Sequence, residues 1–140
     1  MRQTLLATCA AAMTALAAPA FAADGQLTVE LNKVEPGDTG GCRAFFLFRN
    51  LTATTLDAFE MSLAILDGQG VIDRLLTIDA APLPVGRTTL KLFEIPEIAC
   101  DDISEILLHD IPSCAAAGGA ETDCFANLDL VSRASARLTK

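Results

Sequence analysis

Apolar and polar residues alternate with a period of two along much of the chain. Leu27, Val29 and Leu31 alternate with polar neighbours, which is typical of a strand that buries one face. A later segment repeats the pattern: Asp57 stands at its solvent-facing start, and four apolar residues share the inward face (Phe59, Met61, Leu63 and Ile65). The alternation therefore predicts half-buried strands in both segments.

Further strands are predicted between these segments and after them. Residues 42–49 carry apolar side chains on both faces, which predicts a central strand. Residues 71–78 return after a glycine turn, with an inward face that we expect to hold Ile72, Leu76 and Ile78. Pro82 and Pro84 predict a connection or a sheet edge, because proline cannot donate a ladder hydrogen bond. A fifth strand is predicted after it, at 88–95. The last strand is predicted at 124–130.

Residues 103–111 fit two descriptions. Asp102 and Glu105 have the spacing of a helix capping box, and Ile103, Ile106 and Leu107 would share a helical face. The segment is short, however, it ends at Pro112, and it follows five strands. We therefore predict mainly strand here.

These short strands, separated by turns about every ten residues, predict the fold class. We expect an all-β protein, an antiparallel Ig-like β-sandwich of about seven strands. Residues 23–140 suit a single domain, since domains of about 100–150 residues are the commonest.

The first 22 residues have the layout of a secretory signal peptide. Arg2 gives a positive start, residues 5–18 are apolar, and the small residues Ala20 and Ala22 precede the predicted cleavage point. The apolar run is shorter than the roughly 20 residues of a membrane span. A lipid anchor at Cys9 is disfavoured because Thr8 is a poor residue before a lipidated cysteine. We predict cleavage after residue 22 and a periplasmic or secreted protein without a membrane span.

Four cysteines follow the predicted signal peptide, and an oxidising compartment favours disulfides between them. Four cysteines allow three pairings. We favour Cys42–Cys100, which ties an early strand to a late one, and Cys114–Cys124, which closes a loop containing Gly118 and Gly119. A metal site or a redox pair is disfavoured because the chain lacks a Cys-x-x-Cys spacing.

The charge of the chain limits its partners. Nine basic and 18 acidic residues follow residue 22, so the net charge of the exported part is −9. An acidic surface repels phosphate backbones, which argues against nucleic-acid binding. The basic residues at the end of the chain, Arg133, Arg137 and Lys140, are expected to form a solvated end.

Several turn motifs resemble a known family. The stretch Asn50-Leu51-Thr52, the turn at residues 66–71, the Pro-x-Gly turn at 84–86 and Phe93 resemble the FxLYD-type Ig-like domains of exported bacterial proteins. The chain departs from that family in having Ile65-Leu66 where Leu-Tyr is expected. As a whole it also resembles small exported proteins of alphaproteobacteria. The resemblance implies a β-sandwich and supplies no catalytic residue.

Candidate chemistry is sparse. His109 is the single histidine, tryptophan and tyrosine are absent, and no Gly-x-Ser-x-Gly elbow accompanies the histidine. The densest acidic cluster joins Asp101 and Asp102 with Glu97 and Glu105. We therefore predict no catalytic, cofactor-binding or metal-binding residues.

The leading hypothesis is a non-enzymatic protein-interaction or envelope-support module. Its partner would be an envelope protein, bound by pairing at a sheet edge along the side of Pro82–Gly86. One alternative is a ligand-binding protein or hydrolase that uses His109 with the acidic cluster near Asp101. Another is a secreted inhibitor that presents an exposed loop at residues 112–123.

Overall fold

The computed structural model describes residues 26–140. This part of the chain folds into eight strands and one short 3-10 helix, η1. The elements are β1 (Leu27–Pro36), β2 (Cys42–Asn50), β3 (Leu56–Asp67), β4 (Ile72–Asp79), β5 (Arg87–Ile95), η1 (Cys100–Asp102), β6 (Ile103–Ala116), β7 (Leu128–Ser132) and β8 (Arg137–Thr139). The predicted signal peptide, residues 1–22, lies outside the described residues.

The eight strands form two four-stranded sheets. Sheet A has the order β5-β2-β1-β7, and sheet B has the order β4-β3-β6-β8. The prediction of an all-β sandwich stapled by two disulfides is confirmed, although the described residues hold eight strands where about seven were expected. The prediction of a purely antiparallel arrangement is wrong in two places, because β7 pairs with β1 and β8 with β6 in parallel.

The core lies between the two sheets. Phe46 and Phe48 point inward from β2, and the ring centroid of Phe48 lies 6.1 Å from that of Phe59 on β3, in an edge-to-face arrangement. The predicted inward residues of β1 and β3, such as Val29 and Met61, are buried as expected. Period-two alternation therefore located the buried faces of the first strands correctly.

The predicted position of β2 is confirmed, whereas the predicted inward face of β4 is only partly correct. β2 lies between β5 and β1, as its two apolar faces predicted. Ile72 was expected to point inward, and this is wrong, because 57% of its surface is exposed. The pairing of β4 with β3 is irregular between Ile65 and Leu66, next to Ile72, so the alternation that buries Ile78 does not extend to the start of β4.

The ambiguous segment 103–111 is a strand, as predicted. It forms most of β6, whose residues pair with β3 on one side and with β8 on the other. The capping-box interpretation does not apply, since η1 ends at Asp102 and Glu105 binds Arg137 and Thr139 of β8. Pairing with two neighbouring strands outweighs the local helical spacing.

The C-terminal part of the chain differs most from the prediction. The last strand was expected at 124–130, but β7 begins at Leu128, because Asp123 accepts a hydrogen bond from the amide of Phe125 in a turn. Arg133, Arg137 and Lys140 are exposed, as expected of a solvated end, but this end of the chain is part of the folded domain. Residues 137–139 form β8, and Leu138 is buried against the core. Alternation over so few residues gave no signal for β8.

Both predicted disulfides are present. Cys42 and Cys100 have Cα atoms 4.8 Å apart and join the start of β2 in sheet A to η1, which leads into sheet B. Cys114 and Cys124 have Cα atoms 6.2 Å apart and close the loop that follows β6. Within residues 26–140, no helix has the length and apolar character needed to cross a membrane.

Candidate functional site

An apolar patch lies on the outward face of sheet A. Alternate residues of β2 point away from the core, and among them Phe45 lies opposite Leu92 while Leu47 lies opposite Leu90 of β5. Leu90 is 60% exposed and Leu92 is 47% exposed. We call these four residues (Phe45, Leu47, Leu90 and Leu92) the apolar patch. Neighbouring leucines on one exposed sheet face suggest a contact surface, whereas a single exposed leucine needs no explanation.

The strand that carries half of this patch is an open edge. β5 pairs with β2 along all nine of its residues without a register shift, and its other side has no strand neighbour among residues 26–140. The other outer strands are less regular or shorter: β4 contains an irregular step, β7 has five residues and β8 has three. A long, regular edge presents a row of unpaired backbone N–H and C=O groups.

One end of β5 is rich in carboxylates. Arg43 binds Glu94 of β5 at 2.6 Å (Nε–Oε1), Asp38 at 3.2 Å (Nη2–Oδ2) and Glu35 at 3.6 Å (Nη1–Oε1). The hydrogen bond to Glu94 is the main reason that the pKa of Arg43 is raised, with the neighbouring carboxylates adding to the effect. Glu35 is also bound by Lys33, so three acids meet two bases, this end carries a net charge of −1, and we call it the acidic end of β5.

Charged residues also border the patch on β1. The Nζ atom of Lys33 lies 4.9 Å from the ring centroid of Phe45, a cation–π distance, and Lys33 binds Glu35 at 2.6 Å. The bond from Lys33 is the main cause of the lowered pKa of Glu35. Further along β1, Glu30 lies opposite Leu47. The patch is therefore bordered by charges that are already paired.

The open edge was predicted one segment too early in the chain. Pro82–Gly86 was expected to offer the free edge, yet Leu83 is fully buried and exchanges two backbone hydrogen bonds with Leu56. The amide of Gly86 donates to the carbonyl of Asn50. The backbone of this segment is thus already bonded, and the open edge begins with β5 at Arg87. The apolar residues on both faces of 88–95 were the sequence feature that could have indicated an exposed apolar surface on this strand.

The residues considered for hydrolysis do not form one site. His109 is exposed on sheet B, and its Nε2 lies 2.8 Å from the hydroxyl oxygen of Ser62. Asp102 precedes His109 by seven residues along an extended strand, which separates them by about 20 Å. Asp101 lines a shallow cavity of about 360 Å³ near Cys100, away from the histidine. The structure therefore does not bring the acidic cluster and His109 together.

A cleft of about 580 Å³ with a mixed polar and apolar lining lies at one end of the sandwich. One wall is the loop after β2, which the buried side chain of Asn50 holds by donating to the carbonyls of Thr54 and Leu83. The other wall contains Thr122 and Cys124.

The loop considered for an inhibitor begins only after Ala116, because residues 112–116 belong to β6.

Comparisons of the chain with protein-family models, with curated proteins and with solved structures found no match. Among residues 26–140, His, Cys, Asp and Glu side chains do not gather in groups of three that could hold a metal ion. The apolar patch and the open edge of β5 beside it are the surface features from which a function can be proposed.

Proposed function

We propose that this protein is an exported, non-enzymatic interaction module that binds an extended segment of an envelope protein along β5. One observation carries the proposal: β5 is a nine-residue open edge whose outward leucines, Leu90 and Leu92, continue the apolar patch of β2. An added strand would pair with the free backbone groups of β5, and its own outward side chains would cover the leucines.

The energetics favour this mode over a contact between flat surfaces. Hydrogen bonds of the backbone fix the direction and position of the added strand, while burial of apolar surface stabilises the complex by about 25 cal/mol per Å². The patch is small, so a lone peptide would bind weakly, and a larger partner would add contacts beyond the edge.

Three observations support an exported and non-enzymatic protein. The signal-peptide pattern in residues 1–22 fits a periplasmic or secreted location, where disulfides such as Cys42–Cys100 form and persist. All four cysteines after residue 22 are paired, which leaves no thiol for nucleophilic chemistry. The Ser62–His109 pair lies on an exposed sheet face about 20 Å from Asp102. The resemblance to Ig-like exported domains agrees with this interpretation.

Site-specific photocrosslinking in the producing cells tests the proposal. A photoreactive amino acid replaces Leu90 in one variant and Leu75 in a matched control. Leu75 is also an exposed leucine, 62% accessible, on the outer strand β4 of sheet B. We expect a reproducible crosslinked product of defined mass from position 90 and none of that mass from position 75.

A second variant links the crosslink to the apolar patch. Leu92→Thr removes apolar surface and introduces a β-branched residue that suits a strand. The position-90 crosslink should then weaken severalfold, while the exported protein keeps its unfolding midpoint. Equal products from positions 75 and 90, or no product from position 90, would contradict the proposed function.

A further inference from the structure

From the charges and side chains around β5, we propose the chemistry and direction of the bound segment. It runs antiparallel to β5 and has the pattern basic-x-apolar-x-apolar, with the basic residue at its N-terminal end. This inference rests on the proposed function, since it specifies what binds at the same edge. Three features of the structure support it.

The acidic end requires the basic residue. Glu94 is 49% exposed and Asp38 is 91% exposed, while Arg43 between them is 24% exposed. Arg43 and Lys33 supply two positive charges to three carboxylates, which leaves one negative charge without compensation. A lysine or arginine opposite Glu94 would face that carboxylate and would balance the remaining charge. An acidic residue at the same position would be repelled.

The apolar positions follow from the period of a strand. Leu92 and Leu90 lie two and four residues before Glu94, and all three point outward. In an antiparallel pair, directly opposite residues share a face, so the partner residues opposite Leu92 and Leu90 come two and four positions after the basic residue. Antiparallel pairing also continues the ladder between β2 and β5 and is slightly more stable per residue than parallel pairing.

Lys91 argues for a different protein as the partner instead of a second copy of this chain. It lies on the inward side of β5 and donates a hydrogen bond to the carbonyl of Ala81 over 3.0 Å. If two copies paired so that Leu90 of one met Leu92 of the other, the two Lys91 side chains would lie directly opposite each other. Like charges opposite each other destabilise a strand pair, and an inward charge is a known protection of sheet edges. The net charge of −9 on each exported chain adds to the repulsion.

Peptide binding to the isotopically labelled, disulfide-bonded protein tests the pattern. Three capped peptides of equal composition outside the test position are compared by nuclear magnetic resonance: Ser-Arg-Thr-Val-Thr-Val-Ser, the same peptide with Glu in place of Arg, and the reversed sequence. The readouts are the amide shifts of β5 and the dissociation constant. We expect the first peptide to bind β5 about fivefold more tightly than the Glu peptide, and this preference to shrink at high salt.

Two charge variants separate attraction at the acidic end from general attraction to an acidic protein. The double variant Asp38→Asn, Glu94→Gln removes two charges at the acidic end. It should bind the Arg and Glu peptides with about equal dissociation constants. Asp57→Asn with Glu60→Gln removes two charges from β3 of sheet B and should leave the preference unchanged.

The possible outcomes distinguish this inference from the proposed function. Equal binding of the Arg and Glu peptides at β5 would overturn the charge pattern while leaving strand addition in place. Tighter binding of the reversed peptide would overturn the antiparallel direction. If none of the peptides shifts the β5 amides at millimolar concentration, both proposals fail.

Discussion

The carboxylate of Glu30 accepts a hydrogen bond from the guanidinium of Arg133, 103 residues later in the chain, with Nε and Oε1 3.0 Å apart. Glu30 alternates with the core residues Val29 and Leu31 and so lies on the outward face of β1, yet only 1% of it is exposed. Asn32 donates to the same oxygen at 2.7 Å, and Nη2 of Arg49 lies 3.4 Å from the other oxygen. Side chains from β1, from β2 and from the turn after β7 thus meet on one carboxylate.

Replacing this carboxylate should weaken the fold. Glu30→Gln keeps the shape of the side chain but removes the charge that Arg133 and Arg49 balance. Hydrogen bonds to a charged group contribute about 1.5–3 kcal/mol, and both arginines can rehydrate, so we expect a loss of about 2 kcal/mol in urea unfolding. Glu35→Gln, a partly exposed carboxylate on the same strand, is the control and should cost clearly less than Glu30→Gln. Equal costs for the two variants would contradict the role assigned to Glu30.

The contribution of Glu30 should also depend on pH. The hydrogen bond from Asn32, with help from Arg133 and Arg49, lowers the pKa of Glu30 below its ordinary value of 4.5, although burial opposes this. A carboxyl whose folded pKa is lowered stabilises the fold fully above its unfolded pKa and loses that contribution as the pH falls through the folded pKa. The stability difference between the native protein and Glu30→Gln should therefore be constant from pH 7 to 5 and shrink below about 4.5. A difference that grows on acidification would refute this sign.

Asn50 should be needed for the loop after β2. Its fully buried side chain donates to the carbonyls of Thr54 and Leu83 and accepts from the amide and hydroxyl of Thr52. Asn50→Ala removes all of these hydrogen bonds from a fully buried position, at a cost of about 2–3 kcal/mol in chemical unfolding. Asn127→Ala, an exposed asparagine that lines the same cleft, is the matched control and should change stability by less than about 0.5 kcal/mol.

The two disulfides should contribute unequally. Cys42 and Cys100 are 58 residues apart, while Cys114 and Cys124 are 10 apart. The loss of chain entropy in the unfolded state predicts about 4 kcal/mol for the first and about 3 kcal/mol for the second. Urea unfolding of each Cys-to-Ala pair measures the two costs, and the unmodified protein under a reductant gives their joint effect. If removal of the short-loop disulfide proves the more costly, the entropic explanation is wrong for this fold.

The short loop should keep its shape without its disulfide. Glu121 accepts hydrogen bonds from the hydroxyl of Ser113 and the amide of Cys114, and the amide of Thr122 donates to the carbonyl of Cys114. In the Cys114→Ala, Cys124→Ala variant, the amides of residues 114 and 122 should therefore stay protected from hydrogen exchange. Loss of that protection would show that the covalent bond alone orders the loop.

The local features of this fold could be predicted from the order of its residues. Alternation located the inward faces of β1 and β3, because a period of two depends only on which face of a strand is buried. It also indicated β2 as a central strand, since apolar residues occupy both of its faces. The four cysteines and the export signal favoured two disulfides, and the pairing Cys42–Cys100 with Cys114–Cys124 is the one observed.

The identity of neighbouring strands depends on contacts between residues far apart in the chain and was not predictable from local patterns. The sequence around Leu90 and Leu92 predicts a strand without indicating its neighbours. These leucines are exposed on the outer strand of sheet A, because β5 is the last strand in the order of that sheet. Glu30 reads as a solvent-facing residue, and it is buried because Arg133 returns to it after 103 residues. Ser62 and His109 come together in the same way across two paired strands. Such relationships depend on long-range pairing, which residue alternation within one segment cannot encode.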